Sequence, residues 1–198
     1  HYKFSLMTEF FDPGPINNPK IPIFLAAVNK DMCKLVGELG DGIHIHPLNS
    51  PRYIKEVIIP NIKIGSEKSG RKIDEITRSA TIMSITGESE EELQISKEII
   101  KMQIAFYSST PTYRNIAKIH GFDKITDELS KLARLKKWND MRKLITDSML
   151  EEFTVISKPS KILDQIKSKY SNLLDRVTLY IPIDRNKIFW EEVLKNRT

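Results

Sequence analysis

Apolar and polar positions alternate along this chain with two periods, and the switches between them predict its elements. Ile21 to Ala27 is a short apolar run bounded by Pro22 and predicts a strand. Asn29 is placed as a helix N-cap, and Met32, Leu35, Val36 and Leu39 follow at i, i+3, i+4 and i+7. Gly40-Asp41-Gly42 stops that helix, and Ile43 to His46 is a second short strand. Pro51 to Ser69 predicts a helix interrupted near Pro60. Ile76 to Thr86 sets Ser and Thr against apolar residues and predicts the longest strand. Gly87 ends it, Ser89 and Glu92 form a capping box, and Ile95, Ile99, Met102 and Phe106 share one face of the helix that follows.

Three further helical patterns run Thr112 to His120, Lys124 to Leu135 and Asn139 to Glu151. Pro159 sits in the first turn of another helix, with Ile162, Leu163, Ile166 and Tyr170 apolar. Arg176 to Ile183 is the last strand, and a short helix closes the chain. Ahead of all these, Tyr2 to Thr8 predicts a strand, and Asp12 to Lys20 is a turn-rich connector. Strand–helix order with short loops implies parallel strands joined by helical crossovers. A closed (β/α)8 barrel needs eight strands and about 250 residues. The four strands near 22–27, 42–46, 77–86 and 177–182 supply half of one, with a helical insertion before the last.

Composition narrows the class. The chain has 198 residues, 40% hydrophobic and 29% charged, the balance of a soluble globular protein. No apolar run approaches the roughly 20 residues of a membrane helix, and the N-terminal stretch has no signal-peptide pattern. His1 in place of an initiator Met reads as an internal start, so the chain is expected to be a fragment or a processed product. One cysteine, Cys33, allows no internal disulfide and fits a reducing, cytoplasmic setting. A net charge of +5 favours anionic ligands mildly and does not by itself imply nucleic acid.

The stretch PIFLAAVNKDMCKLVGELGDGIHIHPL resembles the luciferase-like monooxygenase superfamily, most closely the branch that uses the deazaflavin coenzyme F-420. The residues that carry the resemblance are Pro22, Ala26, Ala27, Met32, Gly37, Asp41 and Gly42. Val28 and Lys30 depart from the family pattern, which has a small residue and a proline there. QIAFYSSTPTYRNIAKIHGF (Gln103 to Phe122) and LARLKKWNDMRKLITDSMLEEFTV (Leu132 to Val155) fit the same branch. The resemblance implies one partial TIM-barrel domain over 1–198: strands five to eight of a barrel whose N-terminal half is absent.

Site candidates follow from residues and resemblance together. A strand end of small residues leading into a helix N-terminus leaves backbone N–H groups open to an anion. The resemblance implies that Ala26, Ala27, Val28 and Asn29 hold the phosphate-bearing tail of the cofactor. Without it, the Ala pair is explained by close packing of strand on helix. His44 and His46 share one face of a strand. A metal pair and two hydrogen-bonded histidines are both open readings, and the second is preferred because no third ligand is evident. The resemblance makes His46 a cofactor contact. It also implies that Tyr107, Ser109, Thr110, Tyr113 and Arg114 face substrate, whereas the same segment reads locally as a helix stop followed by a new start. His120 reads as a C-terminal helix residue favoured by the dipole. Cys33 reads as a packed small hydrophobe. In the basic run Lys131 to Lys143, Leu132, Leu135 and Trp138 fall at helical spacing, so its cations read as a solvated face.

Two functions are open. One is an oxidoreductase whose full-length parent, a homodimer, transfers a hydride to or from coenzyme F-420 or uses FMN for monooxygenation of a small molecule. The other is a half-barrel module that binds flavin or a partner without catalysis. Neither requires a metal, nucleic acid or a membrane. The catalytic residue is unassigned, because the family draws its ring-binding groups largely from the absent strands.

Overall fold

The computed structural model describes residue 10 and residues 14–195. The strand expected over Tyr2 to Thr8 lies outside the described residues.

Five parallel strands form one sheet: β1 (Phe24–Ala27), β2 (Gly42–Ile45), β3 (Thr77–Ile85), β4 (Val155–Ile156) and β5 (Arg176–Tyr180). The order runs β1-β2-β3, and both β4 and β5 pair with β3. These four expected strands are present within three residues of their expected ends. The two-residue β4 carries no periodic signal and is an addition. The α/β class with a parallel sheet therefore stands as expected.

The register separates two faces. Ala26, His44, Ser79 and Arg176 lie side by side across β1, β2, β3 and β5 on one face. Ala27, Ile45, Ala80 and Val177 form the adjacent row on the other. The second face carries much of the core: Ile43, Ile45, Ala80 and Ile82 join Val36, Ile54, Ile58, Ile62, Ile100 and Ile104 in one buried cluster. The first face is polar and partly open, with Ala26, His44, Arg176 and Thr178 exposed. A bidentate pair from the Arg78 guanidinium to the Asp175 carboxylate (3.1 and 3.0 Å), backed by the Arg78 N–H at 2.7 Å, pins the start of β5 to β3.

The helices are α1 (Lys30–Leu39), α2 (Pro51–Tyr53), α3 (Ile59–Lys68), α4 (Glu90–Ser109), α5 (Arg114–Lys118), α6 (Asp123–Arg134), α7 (Trp138–Lys143), α8 (Asp147–Phe153), α9 (Ile162–Tyr170) and α10 (Lys187–Leu194). No break occurs at Pro60. A π-helical stretch, Ile54–Ile58, joins α2 to α3, and this irregular turn absorbs the ring and missing N–H of the proline. The segment expected as one helix over Asn139 to Glu151 is two, because Thr146 caps a new start by accepting from the Met149 N–H at 3.2 Å.

Two helix faces differ from expectation. On α1 the buried residues are Cys33, Val36 and Gly37, while Leu39 is 68% exposed. Gly37 and Gly65 decide this: a Cβ on Gly37 would stand 2.1 Å from the Ile62 carbonyl oxygen, and one on Gly65 1.9 Å from that of Lys34. Backbone-to-backbone approach fixes which side of α1 meets α3, whatever the apolar stripe does. On α4, Ser96, Ile100, Ile104, Ala105 and Ser108 are buried, and Ile95, Met102 and Phe106 are exposed. Small residues again mark the side that packs closely. In the basic run, Leu135 and Trp138 are exposed, because α6 stops at Arg134 and Lys136 turns the chain at φ 56°. Cys33 is fully buried, as expected of a small hydrophobe.

Candidate functional site

A cleft of about 280 Å³ opens where β1 and β2 end, lined by Ala26, Ala27, Val28, Asn29, Met32, His44, His46, Thr112 and Tyr113. All five residues expected to contact cofactor meet there, with one of the five expected to face substrate. Chain order explains half of this, since parallel neighbours β1 and β2 deliver their C-terminal ends to one edge. Thr112 and Tyr113 arrive from the insertion, which only the tertiary structure could bring alongside.

Asn29 has the extended backbone of an N-cap (φ −96°, ψ 165°), but its side chain makes no capping bond to α1. Its Nδ2 instead donates to the Thr112 carbonyl at 3.1 Å, and its Oδ1 accepts from the Asn115 amide at 3.4 Å. The expected side-chain cap is thus replaced by a tie to the insertion. That leaves the first-turn N–H groups of α1 without a side-chain acceptor beside the cleft. The Tyr53 hydroxyl donates to the Val28 carbonyl at 3.2 Å and fixes the same loop from below α1. Asp31, the acidic residue of the first turn, pairs with Lys34 at 3.5 Å, with its side chain almost wholly in water.

His46 follows directly on β2. Its Nδ1 accepts from the Leu48 N–H at 3.1 Å, so the neutral ring carries its proton on Nε2. Burial holds the imidazole pKa below the ordinary value of 6.5, so this neutral form prevails at pH 7. The ring stacks on Tyr113 (centroids 4.3 Å apart, planes at 26°) and takes the edge of Tyr107 at 4.7 Å. Burial, with Tyr180 and Tyr113 nearby, pushes the Tyr107 phenol above its usual value and keeps it protonated. His44 points to the same side as His46, and its ring lies 5.1 Å from that of Phe24. Among the described residues no cluster of three metal-ligating side chains includes them.

Of the other residues expected to face substrate, Tyr107 packs on His46 and Tyr113, and three lie elsewhere. Ser109, Thr110 and Arg114 line a separate cleft of about 410 Å³ with Phe106, Arg134 and Trp138. Ser109 and Thr110 turn their hydroxyls back to the Phe106 carbonyl, and Arg114 pairs with Asp127. The expected group therefore divides, because Pro111 and the 3-10 turn Pro111–Tyr113 change chain direction between Thr110 and Tyr113.

Sequence reasoning missed one network that runs from buried Ser50 and His120 to the partly exposed Glu152. Ser50 Oγ and His120 Nε2 are 2.8 Å apart, and His120 Nδ1 lies 3.3 Å from Glu152 Oε2. His120 stands just past the C-terminal end of α5, as expected, but its side chain turns inward and is only 3% exposed. Ser50 is fully buried and its Oγ also accepts from the Tyr53 N–H, so despite the order of groups it is no nucleophile. Ser50 ahead of Pro51 is a readable cap signal, but its second partner is not.

Comparison with known proteins agrees with this architecture. The family model for luciferase-like monooxygenases matches residues 1–176. An uncharacterized protein of Mycobacterium tuberculosis is 36% identical over 176 residues, covering 89% of this chain and 52% of that protein. The 5,10-methylenetetrahydromethanopterin reductase of Archaeoglobus fulgidus is 24% identical over 187 residues, covering 94% of this chain and 54% of the reductase. Among solved structures, the coenzyme F-420-dependent tetrahydromethanopterin reductase of Methanopyrus kandleri aligns with a TM-score of 0.70 at 22% identity, over 89% of this chain and 49% of that one. An F-420-dependent secondary alcohol dehydrogenase aligns at 0.53 and 14% identity, over 82% of this chain and 43% of that one. The chain spans about half the length of the curated relatives it matches. On the extent of the family match, the chain belongs to the luciferase-like monooxygenase family.

Proposed function

We propose that this chain is the C-terminal half of a (β/α)8 oxidoreductase that transfers a hydride to or from coenzyme F-420, and that the cleft at the ends of β1 and β2 takes the phosphate-bearing part of the cofactor. The observation that carries this reading is the diversion of Asn29. Its side chain bonds to Thr112 and Asn115, so the α1 first turn keeps its N–H groups for an anion, with the small Ala26 and Ala27 among the residues lining the cleft. The cofactor, when bound, supplies the hydride chemistry; the protein binds, orients and shields. In that arrangement the Nε2–H of His46 is a neutral donor held on Tyr113, and Tyr107 supports it from the edge. The two solved structures named for F-420 favour the deazaflavin over FMN.

The half-barrel reading rests on where apolar surface is left open. β1 has no partner on its outer side among the described residues, and Ile21, Ile23 and Leu39 beside it are 73%, 62% and 68% exposed. Near the other end, Val177 of β5 and Ile188, Trp190 and Leu194 of α10 are exposed as well. Parallel sheets are ordinarily covered on both faces, and further β/α units joining β1 to β5 would cover these residues and enclose the polar face. A stand-alone module would leave them in water.

The test is titration of the full-length protein with F-420 and with FMN, followed by flavin or deazaflavin fluorescence. Saturable F-420 binding with weaker FMN binding is the expected result. Preference for FMN overturns the deazaflavin assignment, and binding of neither overturns the cofactor reading.

A further inference from the structure

We propose that Ser50, His120 and Glu152 form a positioning relay that sets the tautomer of His46 and anchors the Val28 carbonyl, so that the insertion controls what the cleft offers a ligand.

The direction of each bond follows from its chemistry. The Glu152 carboxylate only accepts, so His120 Nδ1–H faces it at 3.3 Å. The neutral ring then has Nε2 as an acceptor, and the Ser50 hydroxyl is the donor at 2.8 Å. Ser50 Oγ keeps a lone pair for the Tyr53 N–H at 3.0 Å. Packing holds the imidazole in place: Phe122 stacks on it at 5.9 Å and Phe153 meets it edge-on at 5.5 Å.

Two arms leave Ser50 for the cleft. One runs through Tyr53, whose hydroxyl holds the Val28 carbonyl at 3.2 Å. The other runs back along the chain through Asn49, whose Nδ2 donates to the carbonyls of His46 (2.8 Å), Pro47 (3.2 Å) and Thr81 (3.2 Å). This turn presents the Leu48 N–H to His46 Nδ1. If the turn relaxes, Nδ1 becomes free to carry the proton and Nε2 becomes an acceptor. The relay therefore decides whether the cleft meets a donor or an acceptor on His46. The His120 side chain is 3% exposed and that of Glu152 44%, so the buried imidazole faces a partly hydrated carboxylate, and setting a tautomer gives the pair a role that apolar packing cannot fill.

The chain has four histidines, which suits long-range 1H–15N NMR at pH 8. In the wild-type protein His120 is expected as the Nδ1–H tautomer and His46 as the opposite Nε2–H tautomer. Finding either ring in the other form overturns the relay. His120→Phe keeps the ring cluster and removes both the hydrogen bond to Ser50 and the Glu152 contact; the His46 nitrogens are expected to shift toward a tautomer mixture. Glu152→Gln, which keeps an acceptor for Nδ1–H, is expected to leave His46 unchanged. A folded His120→Phe protein with wild-type His46 resonances shows a structural role only and sinks the proposal. Should His120→Phe not fold, Ser50→Ala, read the same way, decides. Any effect on ligand affinity rests on the reading of His46 above, but the tautomers do not. If they are as expected and no cofactor binds, that reading fails and the relay stands.

Discussion

The imidazole of His46, at the end of β2, lies flat against the phenol ring of Tyr113, which comes from the insertion, with 4.3 Å between centroids. This contact and the Asn29–Thr112 hydrogen bond tie the insertion to the ends of the neighbouring strands β2 and β1. Aromatic stacking of this kind is worth about 0.5–1.5 kcal/mol, or roughly two- to tenfold in affinity. Tyr113→Phe, which keeps the stack, is expected to bind F-420 within about twofold of wild type on this scale. Tyr113→Ala is expected to weaken binding by roughly three- to tenfold. Equal affinities in a fluorescence titration of the full-length protein would remove Tyr113 from the site.

Gly37 and Gly65 let α1 and α3 touch backbone to backbone, with room for no Cβ. Gly37→Ala is expected to destabilise the fold by about 1–3 kcal/mol through forced separation of the helices. The gain in helix propensity of about 1 kcal/mol offsets only part of this. Urea unfolding followed by circular dichroism measures it. A variant as stable as wild type would show that the helices separate without cost.

Cys33 is fully exposed to packing and not to solvent, and burial pushes its thiol up to about 12. Thiolate, the reactive form, is therefore scarce at pH 8. An aromatic disulfide reagent is expected to leave the native protein unmodified and to titrate one thiol per chain in guanidinium. Rapid reaction under native conditions would contradict the burial of the α1–α3 contact.

The two site-proximal histidines set a pH dependence with a definite sign. Burial lowers the folded pKa of both His46 and His120, the latter against the opposing pull of Glu152. Below 6.5 the unfolded chain takes up these protons more readily than the folded one, so stability falls as pH drops through that region. The contribution is fully present above 6.5 and declines below it. Thermal unfolding between pH 7.5 and 5.5 is expected to shift downward, and to shift less in a His46→Gln/His120→Gln variant. The same shift in both proteins would assign it to other groups. The depressed carboxylates Asp140, Asp147 and Asp175 titrate lower and lie outside this window.

If the exposed apolar residues beside β1 and on α10 belong under further β/α units, the chain expressed alone is expected to self-associate. Light scattering checks this, and a strictly monomeric, cooperatively unfolding chain would favour the stand-alone module.

Local chemistry explains which features could be read in advance. Ser89 caps α4 by accepting the Glu92 N–H at 3.2 Å, a bond between residues three apart. Ile43 and Ile45 face the core while His44 and His46 face the cleft, because strand side chains alternate whatever surrounds them. Helix faces were less legible. Of the apolar stripe on α1 only Val36 is buried, while Met32, Leu35 and Leu39 stay exposed, because Gly37, with no side chain to signal anything, sets the closest contact with α3.

The sequence by itself determined the parallel strands, their order along the chain, the small-residue turn after β1 and the pairing of His44 with His46 on one face. These depend on residues within a few positions of one another. Only the tertiary structure decided that Asn29 would bond to Thr112 rather than cap its own helix, and that Tyr113 rather than Arg114 would reach the cleft. It also decided that His120 would be buried between Ser50 and Glu152. Each of these partnerships joins segments far apart in the chain, and their geometry comes from packing rather than from any local pattern.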